Sequence, residues 1–499
     1  MMSSALCSLL TSTGFQIILI FLLLFTITCE SSPNPTIFED INRHQEEYVQ
    51  RLKEWVAIES DSSDPLKREE VIRMMHLAAE RLKELNATVE LVELGSQKLY
   101  GHDVPLPPVI LAGIEKDPKK PTVCFYGHLD VQPAKFEDGW STQPYNLTEK
   151  DGNLYGRGTS DDKGQVLAVL HAVETLQKHE LPVNVKFVFE GMEEVGSNGL
   201  FTLVEQRNST FFSNVDYIVV TDTLWLSNKP GITYGTRGNC YFFVEVQGAR
   251  KDLHSGSFGG VVHEATGDLI FLLNTLVNSS GHILIPGIYD AVVPPSEKEV
   301  EFYKESEFNA AKIKRTFGIR NFTYSAKEEI LMRRSCYPSL SIHGIEGAFS
   351  ASGTKTVIPA KVTGKFSIRL VPNMEPSVVI NQVTDYLKEK FAERKSPNHI
   401  SIKCVIQAKP WLSDIDGPLY LAGKKAIKKV FNTEPEMFRI GGTIPIGSHF
   451  QEVTGKSAMF LGIGGPDDAP HGQNEKLSRY NFIEGTKLYA ALLQELVSL

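Results

Sequence analysis

Five short stretches, far apart along the chain, each place a metal-seeking or acid–base side chain in a tight local setting: Gly127-His128-Leu129-Asp130, Thr159-Ser160-Asp161-Asp162-Lys163-Gly164, Gly191-Met192-Glu193-Glu194, Thr221-Asp222 and Pro470-His471-Gly472. Imidazoles and carboxylates are the donors that hold Zn²⁺ and comparable divalent cations. A carboxylate left over beside them can move a proton. Taken together, the groups make the inventory of a hydrolase with paired metal ions.

His128 and Asp130 follow the apolar run Val123–Phe125, and side chains two apart leave a strand on the same side. His128 can ligate through one ring nitrogen while Asp130 accepts the proton on the other. Gly156, Gly158 and Gly164 flank Asp161-Asp162 and let the backbone fold tightly enough to aim a short carboxylate inward. One Asp can bridge two cations with its two oxygens; Asp162 could equally cap the helix that follows. Glu193 and Glu194 repel each other and are costly to bury unless cations or protons compensate. A metal resolves this if one Glu ligates and the other stays free as a base. Asp222 ends the next apolar run, and His471 follows a loop, Gly464–Asp468, that can bring it close. Each residue alone has a plainer reading as a loop, turn or surface group. Their recurrence at successive strand ends is not explained that way.

The elements needed to position them are legible. Helical spacing of apolar residues spans Ile37–Glu59 and Arg68–Leu85. Thr122–Phe125 reads as a strand, Gln165–Leu176 as a helix, and Val183–Phe189 and Tyr217–Val220 as strands leading to Glu193-Glu194 and Asp222. Strand, loop with a functional group, then helix is the rhythm of an α/β sheet with its site at the carboxyl ends of the strands. The character changes near Gly235. Strands Tyr241–Val246, Lys361–Leu370 and His399–Ile406 alternate with helices Asp268–Leu276 and Pro376–Arg394, as in a small α+β unit of split βαβ type. The polar stretch Ser296–Arg334 is less patterned. Helical, strand and helical patterns return at Leu419–Phe431, Ala458–Gly462 and Ile483–Val497. The expected fold class is α/β: a catalytic domain with a mixed central sheet flanked by helices, over 32–235 and 409–499, interrupted by an inserted α+β domain over 236–408.

The 499 residues carry a net charge of −9, which leaves no basic footprint for nucleic acid. The apolar run Ile17–Ile27 falls short of a membrane span and suits a signal-peptide core, so 1–31 is expected to be a leader and the mature protein to be secreted, with no membrane attachment after cleavage. No Lys or Arg precedes the run, so a short anchor is the competing reading. Sequons at Asn86, Asn146, Asn208, Asn278 and Asn321 agree with secretion. Cys7 and Cys29 lie in or beside the leader. Cys124, Cys240, Cys336 and Cys404 are too few for a disulfide-built scaffold, and no pairing can be assigned among them. Cys124 and Cys404, in apolar strand-like runs, are expected to pack as small hydrophobes.

At Tyr126–Val131, Gly156–Gly164, Glu190–Ser197 and Gly465–Glu475 the chain resembles the dinuclear-metal peptidase and deacylase family that includes dipeptidases, carboxypeptidase G and aminoacylase. Lys251–Gly256, Lys355–Pro359, Lys365–Asn373 and Arg439–Pro445 are similar to its dipeptidase branch. The resemblance implies that His128, Asp161 and Asp222 hold one metal and that Asp161, Glu194 and His471 hold a second, with Glu193 as general base and Asp130 supporting His128. Zn²⁺ is the expected ion and Mn²⁺ is also compatible. Two divalent cations, three carboxylates and one hydroxide would leave the site close to neutral. The resemblance further implies a cis bond between Asp161 and Asp162, and a homodimer whose inserted domain serves as lid and dimer contact. In that dimer His254 would reach the partner's active site. Arg369 would clamp a substrate carboxylate in a pocket shaped by Thr356, Thr443 and His471. Position 443 departs from cytosolic members, which carry serine. The implied activity is hydrolysis of Xaa-His dipeptides such as β-alanyl-histidine. A broad dipeptidase or an N-acyl-amino-acid deacylase would share the ligand set, and a non-catalytic secreted binding glycoprotein would not need Glu193.

Overall fold

The computed structural model describes residues 36–99 and 101–497; the expected leader, with Cys7 and Cys29, lies outside the described residues. A nine-stranded mixed sheet runs in the order Thr88–Val92, Val109–Ile114, Asn184–Glu190, Thr122–His128, Tyr217–Val220, Ser457–Phe460, Gly231–Thr236, Trp411–Leu412, with Glu436–Ile440 also paired to Gly231–Thr236. Its four central neighbours, Asn184–Glu190 to Ser457–Phe460, are parallel. Parallel strands buried on both faces read as unbroken apolar runs. In Thr122–His128, Val123 and Phe125 enter one core while Cys124 and Tyr126 enter the other. The first core is covered by helices including Gln45–Val56, Arg68–Glu84, Lys163–Lys178 and Arg479–Glu495; Leu200–Arg207 and Pro445–Thr454 cover the second.

The chain passes from Thr122–His128 to the neighbour on one side and then crosses to the neighbour on the other. Strand order therefore reverses there, and the connections diverge to leave a crevice at the carboxyl ends. All five motifs open into that region.

A separate four-stranded antiparallel sheet has the order Ser339–Glu346, Lys361–Leu370, Gly238–Gln247, His399–Ala408. Helices Ala265–Asn274 and Pro376–Arg394 pack on one face through a core that includes Phe242, Leu269, Phe366 and Val383. That is the α+β unit expected from the pattern, with Ser339–Glu346 as a strand not anticipated.

Two expectations are corrected. The single helix over Ile37–Glu59 is two, Ile37–Arg43 and Gln45–Val56. At the break, His44 has φ −97° and ψ 6°, and its Nδ1 donates to the Asp40 carbonyl at 2.8 Å, a local bond that competes with the helix ladder. Ser296–Arg334 is not irregular: it holds the helices Glu297–Glu305 and Ala310–Phe317 and most of Lys327–Ser335. Ser296 and Asn309 cap the first two. Tyr303, Phe308, Ile330 and Leu331 pack with Phe438 of the large sheet in a small core of their own.

Cys124, Cys240 and Cys336 are buried, Cys404 is partly so, and all four are free thiols. Cys404 donates to the Ile406 carbonyl at 3.1 Å, so it is less simply apolar than its run suggests. Among the described residues no helix is long and apolar enough to cross a membrane.

Gly462, just beyond Ser457–Phe460, lies so close to the next loop that a Cβ would stand 1.8 Å from the Thr223 carbonyl oxygen. Gly462→Ala is expected to destabilise the protein by about 1–3 kcal/mol or more, read as a lower midpoint in thermal or urea denaturation followed by circular dichroism. An unchanged midpoint would show that the two strand ends separate freely.

Candidate active site

Five segments deliver the ionisable groups. His128 is the last residue of its strand and is fully buried. Its Nε2 lies 2.9 Å from Asp161 Oδ1 and 4.0 Å from Asp222 Oδ2. The other oxygen of Asp161 is 3.1 Å from His471 Nε2, which is itself 3.1 Å from Glu194 Oε2. One carboxylate is thus shared between two imidazoles. His128, Asp161 and Asp222 form one candidate metal group and Asp161, Glu194 and His471 another, the ligand atoms of each lying within 4.8 Å of one another. One imidazole nitrogen and two carboxylates per group is a donor set that suits Zn²⁺.

The supporting bonds differ in one respect from the sequence reading. His128 Nδ1 is 3.1 Å from the backbone carbonyl of Asp130 and 3.5 Å from its carboxylate. The carboxylate instead accepts the backbone N–H groups of Glu193 and Glu194, each at 3.1 Å. Asp130 therefore orients the imidazole mainly through its main chain, because its side chain is committed to the glutamate turn. Gln132 Nε2 donates to Glu194 Oε2 at 2.9 Å.

The bond between Asp161 and Asp162 is cis, as the resemblance implies. Asp162 stands at the N-cap position of Lys163–Lys178 but makes no capping bond. It accepts from Thr221 Oγ1 at 2.7 Å and from the His128 backbone N–H at 3.3 Å, tying three loops together.

Glu475 carries more of the site than its sequence suggests. Fully buried, it accepts the backbone N–H groups of Gly158, Ser160 and Asp161 at 3.0–3.1 Å, and Arg157 Nη1 at 2.7 Å. Gln165 adds a link from Ser160 to Ile463, and the buried Lys163 ammonium donates to the Trp55 and Ile58 carbonyls. These residues carry no signal beyond their place in the motifs; an acid four residues after His471, in the same loop, was the available hint for Glu475.

Crowded carboxylates set the electrostatics. Loss of hydration pushes Asp222 up to about 7, with Asp161 adding to it, and drives Glu193 and Asp162 well above the ordinary range. Desolvation acts on Asp161 too, but its bonds to His128 and His471 outweigh it and hold it below that range. Hydrogen bonds to Asp161 and Glu194 raise His471 to about 10. Burial opposes protonation of His128, yet its acidic neighbours lift it well above the ordinary value.

Asp161, Glu193, Asp222 and His471 line a cavity of about 880 Å³, as does Thr443. Arg369 Nη1 donates to Thr443 Oγ1 at 2.6 Å, which sets its guanidinium beside a lining residue of that cavity. The apolar wall comes largely from Trp225, Phe308, Ile313, Phe317 and Phe438, of which Ile313 and Phe317 lie on the helix Ala310–Phe317. His254 and Thr356 are not among the lining residues. They sit together on an exposed ladder in which Leu253–His254 pairs with Val357–Ile358, and Ser255 donates its N–H to the Thr356 carbonyl at 3.2 Å.

Paired histidine–carboxylate groups around a shared aspartate, at the carboxyl ends of parallel strands, make this the site of a metal-dependent hydrolase. Residues 124–495 match the family model "Peptidase family M20/M25/M40". Beta-Ala-His dipeptidase of Rattus norvegicus is 54% identical over 93% of this chain and 95% of its own length. Cys-Gly metallodipeptidase dug1 of Schizosaccharomyces pombe is 41% identical over 93% and 98%. The crystal structure of human carnosine dipeptidase 1 superposes with a TM-score of 0.84 at 54% identity, covering 94% of this chain and 100% of that one. The chain belongs to peptidase family M20/M25/M40, and it is accordingly a metallopeptidase.

The protons on His128 and His471 must leave before either nitrogen can take a cation. Zn²⁺ binding is therefore expected to release protons and to tighten as pH rises through the neutral range, because both imidazoles hold their protons above the ordinary value. Calorimetry in buffers of different ionisation enthalpy at pH 6.5, 7.5 and 8.5 checks this; uptake without proton release would contradict the protonation pattern.

Proposed function

We propose that this chain is a secreted metallo-dipeptidase that hydrolyses Xaa-His dipeptides such as carnosine (β-alanyl-histidine). The observation that carries the reading is the division of labour in the adjacent glutamates: Glu194 belongs to a metal group while Glu193 lines the cavity outside both groups. A purely structural metal site has no need of that second acid.

His128, Asp161 and Asp222 would hold one divalent cation and Asp161, Glu194 and His471 a second, Zn²⁺ by donor type, with Mn²⁺ an alternative. Such ions supply Lewis acidity, which makes water a nucleophile near neutral pH and polarises a carbonyl. Glu193 takes the proton of the attacking water and passes it to the leaving amine. Asp130, bonded to both backbone N–H groups of the glutamate turn, keeps base and ligand at a fixed offset. Arg369, steadied by Thr443, receives the free C-terminal carboxylate through paired N–H bonds, which favours short peptides. His254, exposed on its ladder beside Thr356, is free to reach the active site of a second copy and donate to the developing oxyanion there. The working unit under this reading is a homodimer. Four sequon asparagines, Asn86, Asn146, Asn278 and Asn321, are exposed, which supports glycosylation in a secretory pathway. Asn208 is half-buried and donates its amide to the Val453 carbonyl at 2.8 Å, making it a poorer acceptor.

The relatives named for Cys-Gly cleavage favour a second reading, a broader dipeptidase with the same chemistry. Parallel assays on β-alanyl-histidine, Cys-Gly and an N-acetyl amino acid separate these from a deacylase.

Purified protein is expected to hydrolyse β-alanyl-histidine, to lose activity on chelation and to regain it with Zn²⁺ or Mn²⁺. Glu193→Gln should cut turnover by roughly 10²–10⁴-fold while retaining the metal content of the unsubstituted protein. Activity that survives complete metal removal would overturn the reading. Arg369→Ala should raise KM by roughly 10–100-fold for dipeptides with a free carboxylate and much less for their amides; equal losses on both would rule out the clamp.

A further inference from the structure

Arg237, Arg333, Arg334 and Arg439 line the cavity alongside the acidic groups, and a fifth arginine, Arg369, is bonded to the lining residue Thr443. So many guanidiniums in one cavity call for an account of what each one faces. Arg237 donates to the Gly441 carbonyl at 2.9 Å, to Ser339 Oγ at 2.9 Å and to the Tyr337 carbonyl at 3.3 Å, so it is a brace. Arg439 is paired with Glu299 and lies over the Tyr234 ring. Arg333 lies over the rings of Tyr324 and Tyr337, with Glu329 at 3.9 Å. Arg369 has a neutral partner, the Thr443 hydroxyl. Arg334 is exposed to the cavity and has no hydrogen bond or ion pair among the described residues. Its backbone is held against the Gly441–Thr443 turn: a Cβ on Gly441 would stand 2.5 Å from the Arg334 carbonyl oxygen. Arg237 feels the charges of both Arg334 and Arg369, which places the three as neighbours.

Three guanidiniums thus lack an anion, but Arg237 spends its N–H groups on two carbonyls and a hydroxyl, which leaves Arg334 and Arg369 open to one, whereas an ordinary dipeptide brings a single terminal carboxylate. Arg369 accounts for that one. A guanidinium is strongly suited to carboxylate, and a second one left over in the same cavity fits a second acidic group on the substrate.

We propose that Arg334 forms a second anion subsite and that the protein also hydrolyses dipeptides whose C-terminal residue is itself acidic, with Arg369 on the terminal carboxylate and Arg334 on the side-chain carboxylate. This rests on the dipeptidase reading above and extends its substrate class.

The test uses the full-length, Zn²⁺-loaded protein and the matched pair Ala-Glu and Ala-Gln, which differ in charge and hardly in size, with β-alanyl-histidine as reference. The unsubstituted protein is expected to favour Ala-Glu in kcat/KM by about tenfold or more, mainly through KM. In Arg334→Met the ratio of the two should fall to about one, and Arg334→Lys should restore part of it because the charge is kept. Equal kcat/KM for the pair in the unsubstituted protein, or a preference that persists in Arg334→Met, overturns the subsite while hydrolysis of β-alanyl-histidine leaves the dipeptidase standing. Failure to turn over any of the three dipeptides overturns the dipeptidase reading itself, and the subsite with it.

Discussion

The structure depends on keeping many acids buried in one place. Asp161, Asp222, Glu193 and Glu194 converge on a single crevice, and beneath them Asp130, Asp162 and Glu475 are fully buried. Like charges at this density and this little hydration are prohibitive without compensation. The compensation differs by layer. Two of the deeper three carboxylates spend their oxygens mostly on backbone N–H groups, Asp130 on the glutamate turn and Glu475 on the loop that presents Asp161, while Asp162 accepts chiefly from the Thr221 hydroxyl and more distantly from the His128 N–H. The upper layer faces imidazoles and is left for cations. One set of acids therefore positions another, and the catalytic geometry is set by main-chain hydrogen bonds rather than by side-chain packing.

Topology explains why residues so distant in sequence can meet. The reversal of strand order at Thr122–His128 puts Asn184–Glu190 on one side and Tyr217–Val220 on the other, with Ser457–Phe460 beyond. All four run the same way, so all four release their following loops at the same end. A strand that alternates Val123 and Phe125 into one core and Cys124 and Tyr126 into the other cannot slip by a residue without exchanging those sets. Register in the core thereby fixes the height of His128 in the crevice.

What the sequence made legible follows from the same physics. Parallel strands buried on both faces are unbroken apolar runs, so their ends, and hence His128, Glu193, Glu194 and Asp222, could be located from pattern alone. The helices of 296–335 were hidden because they are short and bury few residues: Ala310–Phe317 buries none, and its Ile313 and Phe317 face a cavity. Asp130 stands beside His128 Nδ1, but its carbonyl at 3.1 Å is nearer than its carboxylate at 3.5 Å, a difference invisible to sequence spacing, which places its Cβ and not its carboxylate. Glu475 was visible only as part of a motif, because its partners are backbone groups over 300 residues away in sequence. His254 and Thr356 stand outside the cavity of this chain, on an exposed ladder whose distance from the other motifs sequence spacing cannot describe.

The bracing of the Asp161 loop by Glu475 also orders events in time. A chain emerging from the ribosome exposes His128, Asp161, Glu193-Glu194 and Asp222 long before it supplies His471 and Glu475. Until that late loop arrives, three backbone N–H groups lack their acceptor and the shared aspartate lacks its second imidazole. The site is consequently completed late in the making of the large domain, with only the strand Lys476–Ser478 and the closing helix Arg479–Glu495 following its last residues.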